Sequence, residues 1–270
     1  AGEQRSPAAR PRRHAAVGYW RTLLRALPDD IFPVSRSAGE SPGRIEAVLR
    51  SRRAWSSLAA VSAATRVSPQ NALLALTVVA AAAVTSSHRV VLTLQSGNRF
   101  TPRWKGLVSS MNQYVPLHVD LAAGSTPFAG FAGSVQAAAL KAYRQGSYDI
   151  DVVTDLVRSE RDVELGFDNF YNFMAHDVPS VAGLATEAPG RIEETVPHRQ
   201  IGPRFDIKVR SGAELPIVAR VDPGLLPRAG LHGLLRWYDD ELHRLAACPV
   251  ATVDEVLARC ALAAGNRRAA

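Results

Sequence analysis

His118 is the residue best suited by type to general-base chemistry, and it lies within the alternating run "QYVPLHVDL". Standing alone in a strand-like segment, it reads as a structural histidine. Two carboxylate pairs could in principle divide acid and base roles: Asp239 with Asp240, and Glu193 with Glu194. Each pair is adjacent on a segment that reads as exposed, so both are expected to be solvated faces. Cys248 and Cys260 lack a short metal-ligand spacing, which argues against a disulfide framework and against zinc. His243, near Cys248, reads as a structural helix residue. The chain has no Walker loop, no Gly-x-Gly-x-x-Gly turn and no Gly-x-Ser-x-Gly elbow. No residue in it is therefore assigned as catalytic or as a metal ligand.

Composition sets the scale. The 270 residues are 47% hydrophobic and 21% charged, enough to bury a core in one large domain or two small ones. The formal net charge is +7, with much of the excess in "EQRSPAARPRR" and "GNRRAA" at the two ends. Residues 1–14 and 259–270 are accordingly expected to be solvated tails. A basic balance suits nucleic acid, an acidic lipid surface or an acidic protein partner. No aromatic residues interleave with the basic runs, which removes the main feature of a single-strand-binding surface. The N-terminal residues lack the apolar core of a signal peptide. The longest apolar run, 72–84, is shorter than the roughly 20 residues that span a bilayer. With two unpaired cysteines, a reducing cytoplasm is the simplest expected compartment.

The elements that must position any site follow from periodicity. Residues 15–27 place Val17, Trp20, Leu24 and Leu27 on one helical face, with Pro28 as the stop. A Ser/Gly/Pro loop is expected over 35–43, a strand over 44–50 and a helix over 54–66. Ser68 as N-cap and Pro69 at the first helical position start a buried helix through 84. "HRVVLTLQ" reads as a buried strand, and 113–121 as another whose Pro116 implies an edge, a bulge or a strand start. Helices are expected over 126–146 and 149–159, and an aromatic strand over 166–174. A long loop is expected over 178–203. "RFDIKVR" and "PIVARVD" then form a hairpin, and 229–247 forms an amphipathic helix with Leu231, Leu235, Tyr238, Leu242 and Leu245 inward. The sum is an α/β protein with a mixed β-sheet packed with long α-helices.

The order of these segments resembles the C-terminal lobe of condensation domains from nonribosomal peptide synthetases. The resemblance runs from Trp20 to about Val256, and 15–258 is taken as the lobe. It rests on "GYWRTLLRALP", "SPQNALLALTVVAAAAV", "VVLTLQSGNRF", "LVSSMNQYVPLHVDL" and "SERDVELGFDNFYNF". Ser109 stands where the family has a glycine. Gln113 occupies the family's asparagine position, with Asn112 one residue early. Only Gln145 matches the family's His-Gln-Asp segment, and Arg161-Asp162 is followed by a shortened segment.

The resemblance implies a chloramphenicol-acetyltransferase-like lobe. It also implies amide-bond formation from carrier-protein-bound acyl or aminoacyl thioesters. The family's His-His-x-x-x-Asp-Gly motif belongs to the N-terminal lobe, and none of the seven histidines here forms that pattern. This chain is thus expected to be half of an enzyme, with the catalytic histidine on the other half. Ser109, Asn112, Gln113, Tyr171 and Asn172 are the implied tunnel residues, and Arg99 and Arg103 the implied carrier-protein contacts. No cofactor is expected to bind directly; 4'-phosphopantetheine would arrive on the carrier partner. A latch that crosses to the other lobe is expected from the 178–203 loop or the hairpin at 208–218, with the hairpin favoured. Two alternatives stay open: an inactive recruitment or scaffold domain, and an acyl-CoA-dependent acyltransferase of the same fold.

Overall fold

The computed structural model describes residues 10–27, 43–99, 102–106, 108–121, 126–162, 167–174, 188–248 and 250–265. Its organising element is the apolar run that follows Ser68. The Ser68 side chain accepts from Asn71 N, Pro69 opens the helix, and α3 then runs Pro69–Thr85. Every residue from Asn71 to Val84 is buried. A helix with no polar face needs cover on all sides. Helices α2 (Arg52–Thr65), α5 (Phe128–Tyr143) and α8 (Val253–Ala263) supply part of it, and the sheet supplies the rest. The core polar group Thr77 is satisfied internally: its hydroxyl donates to Leu73 O at 2.9 Å and accepts from Tyr238 at 3.1 Å. Tyr238 lies on α7 (Arg228–Ala247), whose five expected inward residues are all buried.

One seven-stranded sheet holds the rest, in the order β3-β2-β4-β6-β7-β1-β5. The strands are β1 (Ile45–Arg50), β2 (Arg89–Ser96), β3 (Gln113–Asp120), β4 (Asn169–Phe173), β5 (Arg191–Thr195), β6 (Phe205–Val209) and β7 (Ile217–Val221). Strand β4 runs parallel to β2 and to β6, and the remaining pairs are antiparallel, so the sheet is mixed as expected. Pro116 falls on β3, an outermost strand, where a missing N–H disturbs the ladder least. Helices α1 (Arg10–Ala26) and α6 (Ile150–Arg161) pack on each other. A single turn, α4 (Pro102–Lys105), completes the list of helices.

Several expectations need correction. The loop expected over 178–203 contains β5, whose charged sequence "RIEET" hides the period-two signal but which pairs with β1 from Glu46 to Arg50. Residues 178–187 of that loop, Pro28 and the 35–42 part of the earlier loop lie outside the described residues. Helix α1 begins at Arg10 and α8 runs to Ala263, so each end carries helix where a solvated tail is expected. Thr252 and Glu255 form a capping box that starts α8. The hairpin is not a crossing latch: β6 pairs with β4 and β7, and β7 with β6 and β1, all within this chain's own sheet. No single helix among the described residues is long and apolar enough to cross a membrane.

Asp239 is also not part of a solvated face. It is 3% exposed and joins three segments. Its carboxylate accepts from Ser51 Oγ at 2.5 Å, from Arg53 Nη2 at 2.6 Å and from Gly190 N at 2.8 Å. The start of α2, the approach to β5 and the middle of α7 are thereby fixed together. Only Asp240 fits the solvated reading, with its side chain 46% exposed. Removing one partner of a buried ion pair leaves an uncompensated charge. Asp239→Ala is therefore expected to lose about 3–5 kcal/mol in urea unfolding, and Asp240→Ala about 1 kcal/mol or less.

Candidate functional site

The segment joining β2 to β3 forms a built cluster at the end of the sheet. Ser96 closes β2 and is buried. Asn98, two residues on, takes φ 53°, a left-handed conformation that asparagine tolerates better than most residues. Its side chain is also buried. Nδ2 donates to Met111 O at 2.9 Å and to Gly146 O at 2.7 Å, while Oδ1 accepts from Ser96 Oγ at 3.1 Å. One carboxamide thus joins the turn after β2, the approach to β3 and the α5–α6 connection. Gly146 is required by this approach: a Cβ there would lie 2.4 Å from Ser96 Cβ and 2.7 Å from Asn98 Oδ1.

Gln113 makes a second bridge beside the first. Its Nε2 donates to Tyr148 O at 2.9 Å, and its Oε1 accepts from Tyr148 N at 3.3 Å. Tyr148 then returns to β3, its hydroxyl donating to Tyr114 O at 2.5 Å. Tyr19 of α1 donates to Pro116 O at 2.6 Å. Two tyrosine hydroxyls therefore occupy carbonyls along the outer strand, where free groups would otherwise invite pairing. Trp20 meets the Tyr148 ring edge-on at 5.7 Å. Burial pushes both Tyr19 and Tyr148 up to about 12, because ionisation would strand a phenolate away from water.

Arg99 braces the same loop, donating from Nη1 to Trp104 O and from Nη2 to Ser109 O, each at 2.7 Å. Ser109 and Asn112 are exposed on that loop. The side chain of Arg103 lies outside the described residues. Tyr171 and Asn172 are not brought together, because successive strand residues face opposite ways. Tyr171 is buried on the helix side, with its hydroxyl donating to Gln70 O at 2.7 Å. Asn172 lies on the other face and donates to Gln95 Oε1 at 2.9 Å.

That second face is polar where the core face is apolar. Asp206 accepts from Lys208 at 2.8 Å and from Arg220 at 2.9 Å, and Lys208 stands 5.9 Å from the Phe170 ring centroid. Asp168, just before β4, is raised by burial, with Arg204 and Arg44 opposing that shift. His118 lies farther along β3, 3.1 Å from Asp120. Arg161, from the Arg-Asp pair singled out in the sequence, caps α1: its Nε donates to Leu24 O at 2.8 Å, and Nη2 reaches Leu24 O and Leu27 O. No group of three or more potential metal ligands occurs among the described residues. The cluster presents Ser109 and Asn112 as exposed polar side chains on a loop held by internal amide bonds, and it holds no nucleophile–base pair.

Gln113 and Arg99, singled out in the sequence as a tunnel residue and a carrier contact, lie in this cluster as internal braces; Asn98, Gly146 and Tyr148 were not singled out. The available signals were an Asn after Gly97 and a Gly opening "GSYD".

No protein-family model matches the chain, and no curated protein matches it. Solved structures do. The first condensation domain of the CDA synthetase is 19% identical with a TM-score of 0.68, over 94% of this chain and 55% of that one. VibH, an NRPS condensation enzyme, is 17% identical with a TM-score of 0.68, over 90% of this chain and 58% of that one. The condensation domain from the monacolin K polyketide synthase MokA is 12% identical with a TM-score of 0.69, over 93% and 61%. The fold is therefore the one found in part of these condensation domains, the mixed α/β architecture expected. The chain spans a little over half the length of these structures.

The tyrosines give a pH test. Burial pushes Tyr19, Tyr143 and Tyr148 up from the usual 10.0 to about 12. A raised pKa means that the folded state holds the proton longer. Stability from these groups is intact below pH 10 and falls as pH rises towards 12. Each tyrosine contributes a slope of up to about 1.4 kcal/mol per pH unit in that window. Burial also raises Cys260, Tyr171 and Tyr238, so urea midpoints are expected to hold up to about pH 8, to decline as Cys260 is drawn in, and to drop steeply by pH 11. Tyr148→Phe is expected to flatten part of that drop.

Proposed function

We propose that this chain is the C-terminal lobe of a condensation-type enzyme that joins a carrier-bound acyl or aminoacyl thioester to an amine. The observation that carries this reading is the fold likeness, which takes in nearly all of this chain but little more than half of each condensation domain. The His-His-x-x-x-Asp-Gly motif would belong to the other lobe, since the seven histidines here do not form it. The amine nitrogen attacks the thioester carbonyl and an oxyanion develops; the C–S bond then breaks as the oxyanion collapses, the nitrogen gives up one proton, and pantetheine leaves as a thiolate that takes up a proton to become the thiol. Such a step is accelerated by holding donor and acceptor in register and by polar groups aimed at the developing charge.

This chain's part is positioning. Ser109 and Asn112 present exposed polar side chains on the 97–112 loop, and Gln113 fixes the ground beneath them. Arg99 keeps positive charge at the same end of the sheet, which favours encounter with an acidic carrier protein, and Arg103 on α4 is the second proposed contact. The carrier would present the substrate on 4'-phosphopantetheine.

A second reading, a recruitment or scaffold domain, is favoured by one observation. The side-chain polar groups of Tyr171, Gln113 and Asn172 are spent on internal hydrogen bonds. Native mass spectrometry of the protein from its producing organism separates the two readings. A polypeptide bearing the histidine motif, in the same chain or in a stable complex, is expected for the enzyme; a lone chain of 29.0 kDa supports recruitment. With that lobe present, Gln113→Ala is expected to lower turnover roughly 10- to 100-fold through misplacement of the loop. Circular dichroism should show the fold retained. Unchanged turnover would remove Gln113 from the site.

A further inference from the structure

The geometry points to Asn98 as the positioning residue that sets where the 97–112 loop stands relative to the sheet. This rests on the reading that the loop borders the reaction path. Three observations converge on the residue. Its side chain is buried, whereas Ser109, Ser110 and Asn112 on the same loop are exposed. Its backbone takes the left-handed region, φ 53°, although the chain could have placed glycine there, as it does next door at Gly97. Its single carboxamide connects Ser96, Met111 and Gly146, which belong to three separate segments.

Neighbouring groups make the position hard to replace. Gly146 leaves no room for a Cβ against Ser96 and Asn98, so the α5–α6 connection sits directly on the carboxamide. Gln113 Oε1 lies 3.4 Å from Asn98 Nδ2, which couples the two amides. Met111 O, one of the two carbonyls Asn98 holds, immediately precedes Asn112. Moving Asn98 therefore moves the exposed end of the loop and the Tyr148 contact together. Arg99 sets the loop's own shape, and Asn98 sets where that shape stands.

Two variants separate side chain from backbone. Asn98→Asp keeps the size and the tolerance for positive φ, but faces a carboxylate towards two carbonyls. Asn98→Gly relaxes the backbone and deletes the amide. In both, hydrogen–deuterium exchange is expected to rise at least tenfold in peptides covering 99–112 and 144–149, with the β6–β7 hairpin unchanged. Wild-type exchange in 144–149 for Asn98→Gly would overturn the proposal.

The kinetic arm uses the full-length protein with an acyl-pantetheine thioester as donor. There kcat is expected to fall at least tenfold in both variants while KM stays within twofold. Val256→Ala, a core change in α8 distant in sequence, serves as the stability control and is expected to leave kcat near wild type. Equal loss in that control would reduce Asn98 to a stabilising residue and overturn the proposal. Absence of turnover in the wild type would count against the condensation reading alone, because the exchange arm still decides the role of Asn98.

Discussion

Helix α3 is buried on every side, and the rest of the molecule is arranged around that constraint. A buried Leu or Val side chain contributes roughly 1.5–3 kcal/mol relative to exposure, so fourteen consecutive buried positions cannot be left partly wet. The sheet covers one side, and α2, α5 and α8 cover others. The alanines at 80–83 keep the helix narrow enough for those neighbours to approach. Thr77 and Tyr238 satisfy each other across the centre, which spares the core an unpaired hydroxyl.

Charge is used at the margins of this core to join elements that are distant in sequence. Asp239 gathers Ser51, Arg53 and Gly190. Fully buried Glu241 accepts from Arg259 at 2.8 and 2.7 Å, which ties α7 to α8. Beside that contact, Gly233 lets α7 approach the end of α8 so closely that a Cβ would collide with Ala263 O. Neutral amides do the equivalent work at the β2–β3 end, where Asn98 and Gln113 hold three segments without a buried charge. A carboxamide donates and accepts at once, so it can bridge backbone groups with no desolvated ion to compensate.

How much of this was legible follows from which signals are local. The N-cap at Ser68, the apolar run of α3, the alternation in β3 and the amphipathic stripe of α7 are all written within one element, and each is found where expected. Strand β5 was hidden because its residues are charged and its identity comes from pairing with β1. Helix α8 was hidden behind the basic end of the chain. Asp239 and Asp240 look alike in sequence, yet one is buried and the other is not, because only Asp239 is met by Arg53, Ser51 and Gly190 together.

The sequence by itself determined most of the element types, the mixed α/β class and the absence of a histidine pair. Those depend on spacing, on backbone stereochemistry and on residue identity, which need no partner. Tertiary structure alone decided that Gln113 grips Tyr148, that Tyr171 and Asn172 part to opposite faces, and that the hairpin stays within its own sheet. It also decided that Asn98 is the meeting point of three segments. Hydrogen bonds across 13 to 48 residues of chain leave no periodic trace, because a carboxamide is chosen by the backbone groups that surround it in space.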